Sequence, residues 1–222
     1  DLIRRAIERL SAVTGIEIVG NPDPRNRIAI LSFVVRAGES YLHPRFVTQL
    51  LNDLFGIQSR AGCLCAGPYG HRLLHIDRAR SEEFRRAVHD GRAGLKPGWT
   101  RLNFHYLFTD AELDFICEAV EFVAAHGPLF LEKYEFDLAE GGWRARGWQP
   151  PAVRFGLDEA LEPGPMAASA RAPLPAEVIA EARRLARELA PHFDPARLKS
   201  TEHDLVPFVY RHAYDSAREG GR

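Results

Sequence analysis

Cysteine, lysine and long apolar runs are all scarce in this chain of 222 residues. The three cysteines, Cys63, Cys65 and Cys117, make a low and odd count that argues against a disulfide framework. Free thiols are typical of a reducing compartment, so we expect a cytoplasmic protein. No apolar run approaches the ~20 residues that a bilayer-spanning helix needs, so we expect no membrane as a partner.

An excess of charge of one sign is also lacking. The chain has 29 Lys and Arg residues against 30 Asp and Glu residues, which gives a formal net charge of -1. This balance provides no general attraction to nucleic acid, so nucleic acid is not an expected partner. The hydrophobic share of 45% is ordinary for a globular domain and is enough for a buried core.

Residues 1–127 carry a succession of apolar patterns that predicts an α+β unit, with helices covering a small mixed sheet. The near-continuous apolar run 28–35 is typical of a strand covered on both faces. A helical pattern is already under way at Asp1, so we expect a further domain to precede this chain. The predicted elements are a helix over 1–13, strands over 16–19 and 28–35, a loop over 36–41, a helix from Pro44 to Gly56, a strand over 57–61, a helix capped by Ser81, a strand over 100–108 and a helix from Thr109 to Gly127.

Residues 128–222 are expected to form a C-terminal extension of that unit. Tyr134, Phe136 and Leu138 alternate before Gly141 and Gly142, which predicts a hairpin. Residues 147–175 are rich in Pro, Gly and Ala, a composition typical of a linker. An amphipathic pattern then predicts a last helix over 176–190.

The most informative segment is Arg60 to His71, which places an arginine, two cysteines and three glycines directly after a strand. A glycine-flanked loop can expose the Cys65 thiol, and a nearby guanidinium group would lower the pKa of that thiol. The alternative is that Cys65 is a small buried hydrophobic residue.

A second arginine, Arg101, falls on the polar face of the strand over 100–108, with Asn103 and His105. The guanidinium fork suits two-point contact with a carboxylate, and Arg60 allows the same interpretation. The alternative for each arginine is a surface salt bridge. Together, the two segments indicate a site for a small anionic substrate.

A metal site is a further alternative for the same region. Cys63, Cys65, His71 and His75 follow the pattern C-x-C-x5-H-x3-H. The spacing between the cysteines is tighter than in most zinc sites, so this hypothesis ranks third.

The run Arg60 to Pro68 (RAGCLCAGP) resembles the R-x-G-x-x-C-A-x-P loop of class V aminotransferase-like enzymes, a group of fold-type I pyridoxal-phosphate (PLP) proteins. That group includes cysteine desulfurases and selenocysteine lyases. The later Trp99-Thr100-Arg101 followed by Asn103 resembles a strand of the family's C-terminal small domain, and the predicted element order over 1–127 agrees with that domain.

This resemblance implies an amino-acid substrate, PLP as cofactor and a homodimeric enzyme. It makes Arg101 the residue that binds the substrate carboxylate and Arg60 a residue that lines the same pocket. Cys65 matches the cysteine that desulfurases use as a nucleophile. Transamination and desulfuration or other lyase chemistry both remain open.

The cofactor-binding lysine of this family lies in a preceding large domain. The three lysines of this chain, Lys96, Lys133 and Lys199, match no such motif. We therefore expect PLP to be bound mainly by a domain outside this chain, and the isolated chain to be inactive. The alternative from a different class is a free-standing sulfur-carrier or partner-binding module without catalytic activity.

Overall fold

The chain folds into helices and a small, mainly antiparallel sheet. The computed structural model describes residues 1–25, 27–38, 40–62, 67–149, 174–195 and 208–209. The helices are α1 (Leu2–Ser11), α2 (Pro44–Phe55), α3 (Gly67–Leu73), α4 (Arg78–His89), α5 (Asp110–His126) and α6 (Pro175–Leu189). The strands are β1 (Ile16–Ile18), β2 (Ile30–Ala37), β3 (Ser40–Leu42), β4 (Arg60–Gly62), β5 (Trp99–Asn103), β6 (Tyr134–Asp137), β7 (Gly142–Ala145) and β8 (Phe208–Val209). Short 3-10 turns span Ala93–Leu95, Gly127–Lys133 and Ala190–His192.

The main sheet is centred on β2. Its strand order is β4-β5-β2-β3-β8, and β1 pairs with β2 as well. Every pair among β1 to β5 is antiparallel, whereas β8 runs parallel to β3. Strands β6 and β7 form a separate antiparallel hairpin. The α+β class is therefore confirmed, and so is the hairpin that Gly141 and Gly142 predict.

Local capping chemistry explains where the two best predicted helices begin and end. Helix α2 starts with Pro44 after the His43 cap and ends at Gly56, whose φ of 67° is the left-handed conformation that glycine adopts without strain. Helix α5 starts with a capping box in which Thr109 and Glu112 each bond the other's backbone N–H.

One face of the main sheet carries the hydrophobic core. Leu31, Phe33 and Val35 of β2 are almost completely buried, and they belong to the same cluster as residues of α1, α2 and α5. That cluster also includes Trp143 of the hairpin and Ile179 of α6. The core thus includes residues on both sides of residue 127, where the sequence analysis predicts a domain boundary. That boundary stays a prediction.

The structure corrects three strand predictions. Burial alternates along β2: Leu31, Phe33 and Val35 are buried in the core, whereas Ile30, Ser32 and Val34 are only half-buried, so the second face of the run 28–35 is covered less completely than predicted. Residues 36–41 are not a loop, because Arg36 pairs with Tyr41 in the β2–β3 hairpin. The predicted strand 100–108 ends at Asn103, opposite the first residue of β2, and Tyr106 beyond it is 82% exposed.

One helix prediction and one loop prediction near the glycine-rich segment are also wrong. Helix α4 is capped by Asp77 and not by Ser81, since the Asp77 carboxylate accepts a hydrogen bond of 2.8 Å from the Arg80 backbone N–H. The predicted loop from Arg60 to His71 contains α3, which begins at Gly67. None of the helices that the structure describes is both long and apolar enough to cross a membrane.

Candidate anion-binding site

Arg60 and Arg101 lie directly opposite each other on neighbouring strands. They are Cα partners in the antiparallel β4–β5 pair, and Ser32 of β2 is the partner of Arg101 on its other side. Cα partners project to the same face of a sheet, so Arg60, Arg101 and Ser32 form a row on the face opposite the core. We call this the open face. The two arginines that sequence analysis singled out are therefore brought together.

No carboxylate in the described part of the chain pairs with either arginine, although most other arginines find a partner. Arg9, for example, makes two bonds to Glu121, at 2.5 and 2.9 Å. Like charges directly opposite each other in a sheet are destabilising. An anion held between the two guanidinium groups would remove that cost and use their hydrogen-bond donors.

Trp99 is a buried residue on the same side of β5 as Arg101. It is two residues before Arg101 on β5 and so shares its face, and it is 5% exposed. Its indole N–H is buried without a hydrogen-bond partner, which is uncommon for a buried donor. The sequence analysis missed Trp99 as a site residue, although its spacing from Arg101 was a visible signal.

The strand that carries Arg60 ends at a glycine with an unusual backbone conformation. Gly62 pairs with Trp99 and has a φ of 112°, a conformation that side-chain-bearing residues rarely adopt. Arg60 itself is exposed, and Arg101 is half-buried in the sheet.

Cys65, the predicted catalytic residue, lies outside the described residues, and so does Cys63. Asn103 does share the open face with Arg101, whereas His105 follows the strand and is exposed. Of the four residues in the metal hypothesis, only His71 and His75 are described. Within the described ranges, no three His, Cys, Asp or Glu side chains are grouped so that they could hold a metal ion.

Two buried titratable groups on the core side are structural. His43 is 2% exposed, and its Nδ1 accepts hydrogen bonds from the Arg45 backbone N–H and the Trp143 indole N–H, each at 3.2 Å. Its Nε2 donates to the Gly94 carbonyl at 2.9 Å. Burial lowers the pKa of His43 to about 4, so this histidine is neutral. Burial likewise raises the pKa of the Cys117 thiol to about 11, which makes it a poor nucleophile.

The described residues of the open face do not provide the lysine that PLP requires. Lys96 and Lys133 are both exposed, and neither is on a strand of the main sheet: Lys96 follows the 3-10 turn Ala93–Leu95, and Lys133 ends the turn Gly127–Lys133. No described lysine on this face could therefore form a Schiff base with PLP. What the face offers is a set of cationic and N–H donors, which suits an anion such as a carboxylate.

Comparison with known proteins gives no family assignment: no protein-family model matches this chain, and no curated protein matches it with significant similarity.

Proposed function

We propose that this chain is the C-terminal domain of a PLP-dependent enzyme of the class V aminotransferase type, and that its open face binds the carboxylate of an amino-acid substrate. The observation that carries the proposal is the paired register of Arg60 and Arg101, without a carboxylate partner among the described residues. The sequence resemblance assigns this same role to these two arginines.

The chemistry of the pair fits a carboxylate well. Each guanidinium group can donate two parallel hydrogen bonds, and charge-assisted bonds of this kind contribute roughly 1.5–3 kcal/mol each. Arg101, half-buried in the middle of the sheet, would fix the orientation of the substrate. Arg60, at the exposed edge strand, would complete the pocket.

The remaining parts of the proposal rest on the resemblance. PLP would be bound mainly by a preceding domain, where it would act as the electron sink for bonds at the substrate's α-carbon. Cys65 follows β4, the strand that carries Arg60, by three residues. If the reaction is desulfuration, its thiolate would attack the substrate sulfur and form an S–S bond while the substrate's C–S bond breaks; the electron pair of that bond would leave on the substrate carbon, which would then take up a proton.

The test uses the protein produced from the complete gene. It should contain PLP, and Arg101→Gln should raise KM for the amino acid by roughly 10–100-fold with a smaller change in kcat, because the lost bonds act in substrate binding. Arg101→Lys should recover only part of the affinity, since lysine cannot form the fork. Arg187→Gln, which removes an exposed arginine of α6, is the matched control.

Two outcomes would contradict the proposal. An unchanged KM in Arg101→Gln would remove the role of the arginine. Protein from the complete gene that contains no PLP and turns over no amino acid would favour the carrier or binding module instead. Cys65→Ala separates the two chemistries, because a desulfurase would lose sulfide release whereas an aminotransferase would keep its activity.

A further inference from the structure

A cavity of about 610 Å³ lies between the main sheet and the segment that contains α3 and α4. The sheet side is formed by residues of β1, β2 and β3, including Val34 and Tyr41. We call this space the helix–sheet cavity. Neither Arg60 nor Arg101 lines it. Its volume is within the range of roughly 300–1,000 Å³ that is usual for small-molecule sites.

The walls of the helix–sheet cavity are largely apolar. Leu73 and Ile76 line it at the end of α3, Phe84 lines it from α4, and Val34 lines it from β2. Phe84 is 4% exposed, so it forms a fixed aromatic wall. Such walls favour the apolar body of a ligand over water.

Two arginines give the helix–sheet cavity its charge. Arg72 of α3 and Arg80 of α4 both line it, and neither pairs with a carboxylate in the portion of the chain that the structure describes. The single acidic side chain in the lining, Glu17, is already engaged: it forms an ion pair with Arg36 and accepts a 2.9 Å hydrogen bond from the Tyr41 hydroxyl. Among the side chains that line the cavity, two arginines therefore stand against a single carboxylate that is already paired.

We propose that the helix–sheet cavity binds a small oxyanion, a carboxylate or phosphate monoester, carried on an aromatic or aliphatic body. Arg72 and Arg80 bind the oxyanion, and the walls around Phe84 and Val34 enclose the apolar body. The exposed Tyr69 at the mouth of the cavity supplies a further hydroxyl group to the bound anion. This site is separate from the arginine pair of the open face and does not depend on the proposed function.

The test is calorimetric titration of the 222-residue protein with four probes: phenyl phosphate, benzoate, inorganic phosphate and benzyl alcohol. Phenyl phosphate and benzoate should bind saturably, because each combines an oxyanion with an apolar body. Inorganic phosphate and benzyl alcohol, which carry one part each, should bind at least tenfold more weakly. If inorganic phosphate binds as tightly as phenyl phosphate, the walls have no role and the inference is wrong.

Variants then locate the binding. Arg80→Gln and Arg72→Gln should each weaken the binding of the better aryl probe about tenfold, which corresponds to ~1.4 kcal/mol. Arg78→Gln is the matched control, because Arg78 is on the same helix but does not line the cavity. Equal effects of Arg78→Gln and Arg80→Gln would overturn the assignment. The comparison with the open face uses phenyl phosphate, because Arg101 is itself proposed to bind carboxylates such as benzoate. A tenfold loss of phenyl phosphate affinity in Arg101→Gln would show that the cavity and the open-face pair are one site.

Discussion

The two faces of the main sheet are built from alternating residues of the same strands, yet they differ in how many of their polar groups have a hydrogen-bond partner. On the core face, the buried Thr100 hydroxyl donates to the Pro44 carbonyl at 3.1 Å, and His43 nearby bonds at both ring nitrogens. On the open face, Glu17 bonds Arg36 and Tyr41, but Arg60, Arg101 and the Trp99 indole have no acceptor among the described residues. A buried polar group that is paired indicates a structural role, whereas two facing arginines without a carboxylate partner are candidates for binding an anion.

The largest contrast between the faces should be in packing. Phe33 of β2 is completely buried on the core face, whereas its neighbour Val34 is only partly buried on the other. Phe33→Ala should lower the free energy of unfolding by ~3–5 kcal/mol, and Val34→Ala by less than ~1 kcal/mol. Urea unfolding of both variants measures the difference. Equal losses would show that the second face is packed as tightly as the first.

The second largest effect concerns pH and the core face. Burial lowers the pKa of His43 from 6.5 to about 4, so below pH ~6.5 the unfolded chain binds a proton that the folded protein does not. Stability should therefore fall by up to ~3 kcal/mol as pH drops from 6.5 through 4, through this group alone.

The matched variant for this prediction is His43→Asn, which keeps a side-chain acceptor at the start of α2. Unfolding experiments at pH 7 and pH 4.5 should show a smaller loss in His43→Asn than in the unmodified protein. The exposed His89 gives the control His89→Gln, whose pH dependence should match that of the unmodified protein. A His43→Asn variant with an unchanged pH dependence would contradict the neutral, buried assignment.

The third effect compares two ion pairs. Arg9 and Glu121 join α1 to α5 through two hydrogen bonds and are partly buried, whereas Arg184 and Glu181 form an exposed pair within α6. A double-mutant cycle should give a coupling energy of ~1 kcal/mol for Arg9–Glu121 and ~0.3 kcal/mol for Arg184–Glu181. A larger coupling for the exposed pair would reverse the order that burial predicts.

The smallest predicted change is a gain in stability, and it concerns the open face. Arg60→Gln should raise the free energy of unfolding by ~0.5 kcal/mol at low salt, because it removes a like charge opposite Arg101. The gain should shrink at high salt, where the repulsion is screened. Urea unfolding at two ionic strengths, with Arg187→Gln as control, is the measurement. Destabilisation by Arg60→Gln would mean that the arginine already has a stabilising partner.

Elements governed by local chemistry could be predicted from the sequence. The Pro44 start and Gly56 end of α2, and the capping box of α5, depend on residues within one turn of each helix end. The end of β5 at Asn103 could not be predicted, because it is set by where the partner strand β2 begins. The apolar run of β2 suggested two covered faces, since Ile30 and Val34 are apolar although they face away from the core.

The candidate site could also be predicted only in part, because it too depends on how distant strands pair. Residue type and strand position singled out Arg60 and Arg101, but their direct opposition depends on the register between two strands whose paired residues, Arg60 and Arg101, are 41 positions apart in the sequence. Arg72 and Arg80 were not recognised as site residues. Helix α3, which carries Arg72, was not predicted, and the predicted start of α4 at Ser81 left Arg80 outside that helix.

The most direct test of the open-face assignment is an NMR titration of the arginine side-chain Nε–H signals with acetate, using chloride at equal ionic strength as reference. We predict that the signals of Arg60 and Arg101 shift together and saturate, with a dissociation constant on the order of millimolar, while Arg187 does not respond. If Arg60 and Arg101 shift without saturation, or no more than Arg187, the two arginines do not form an anion site.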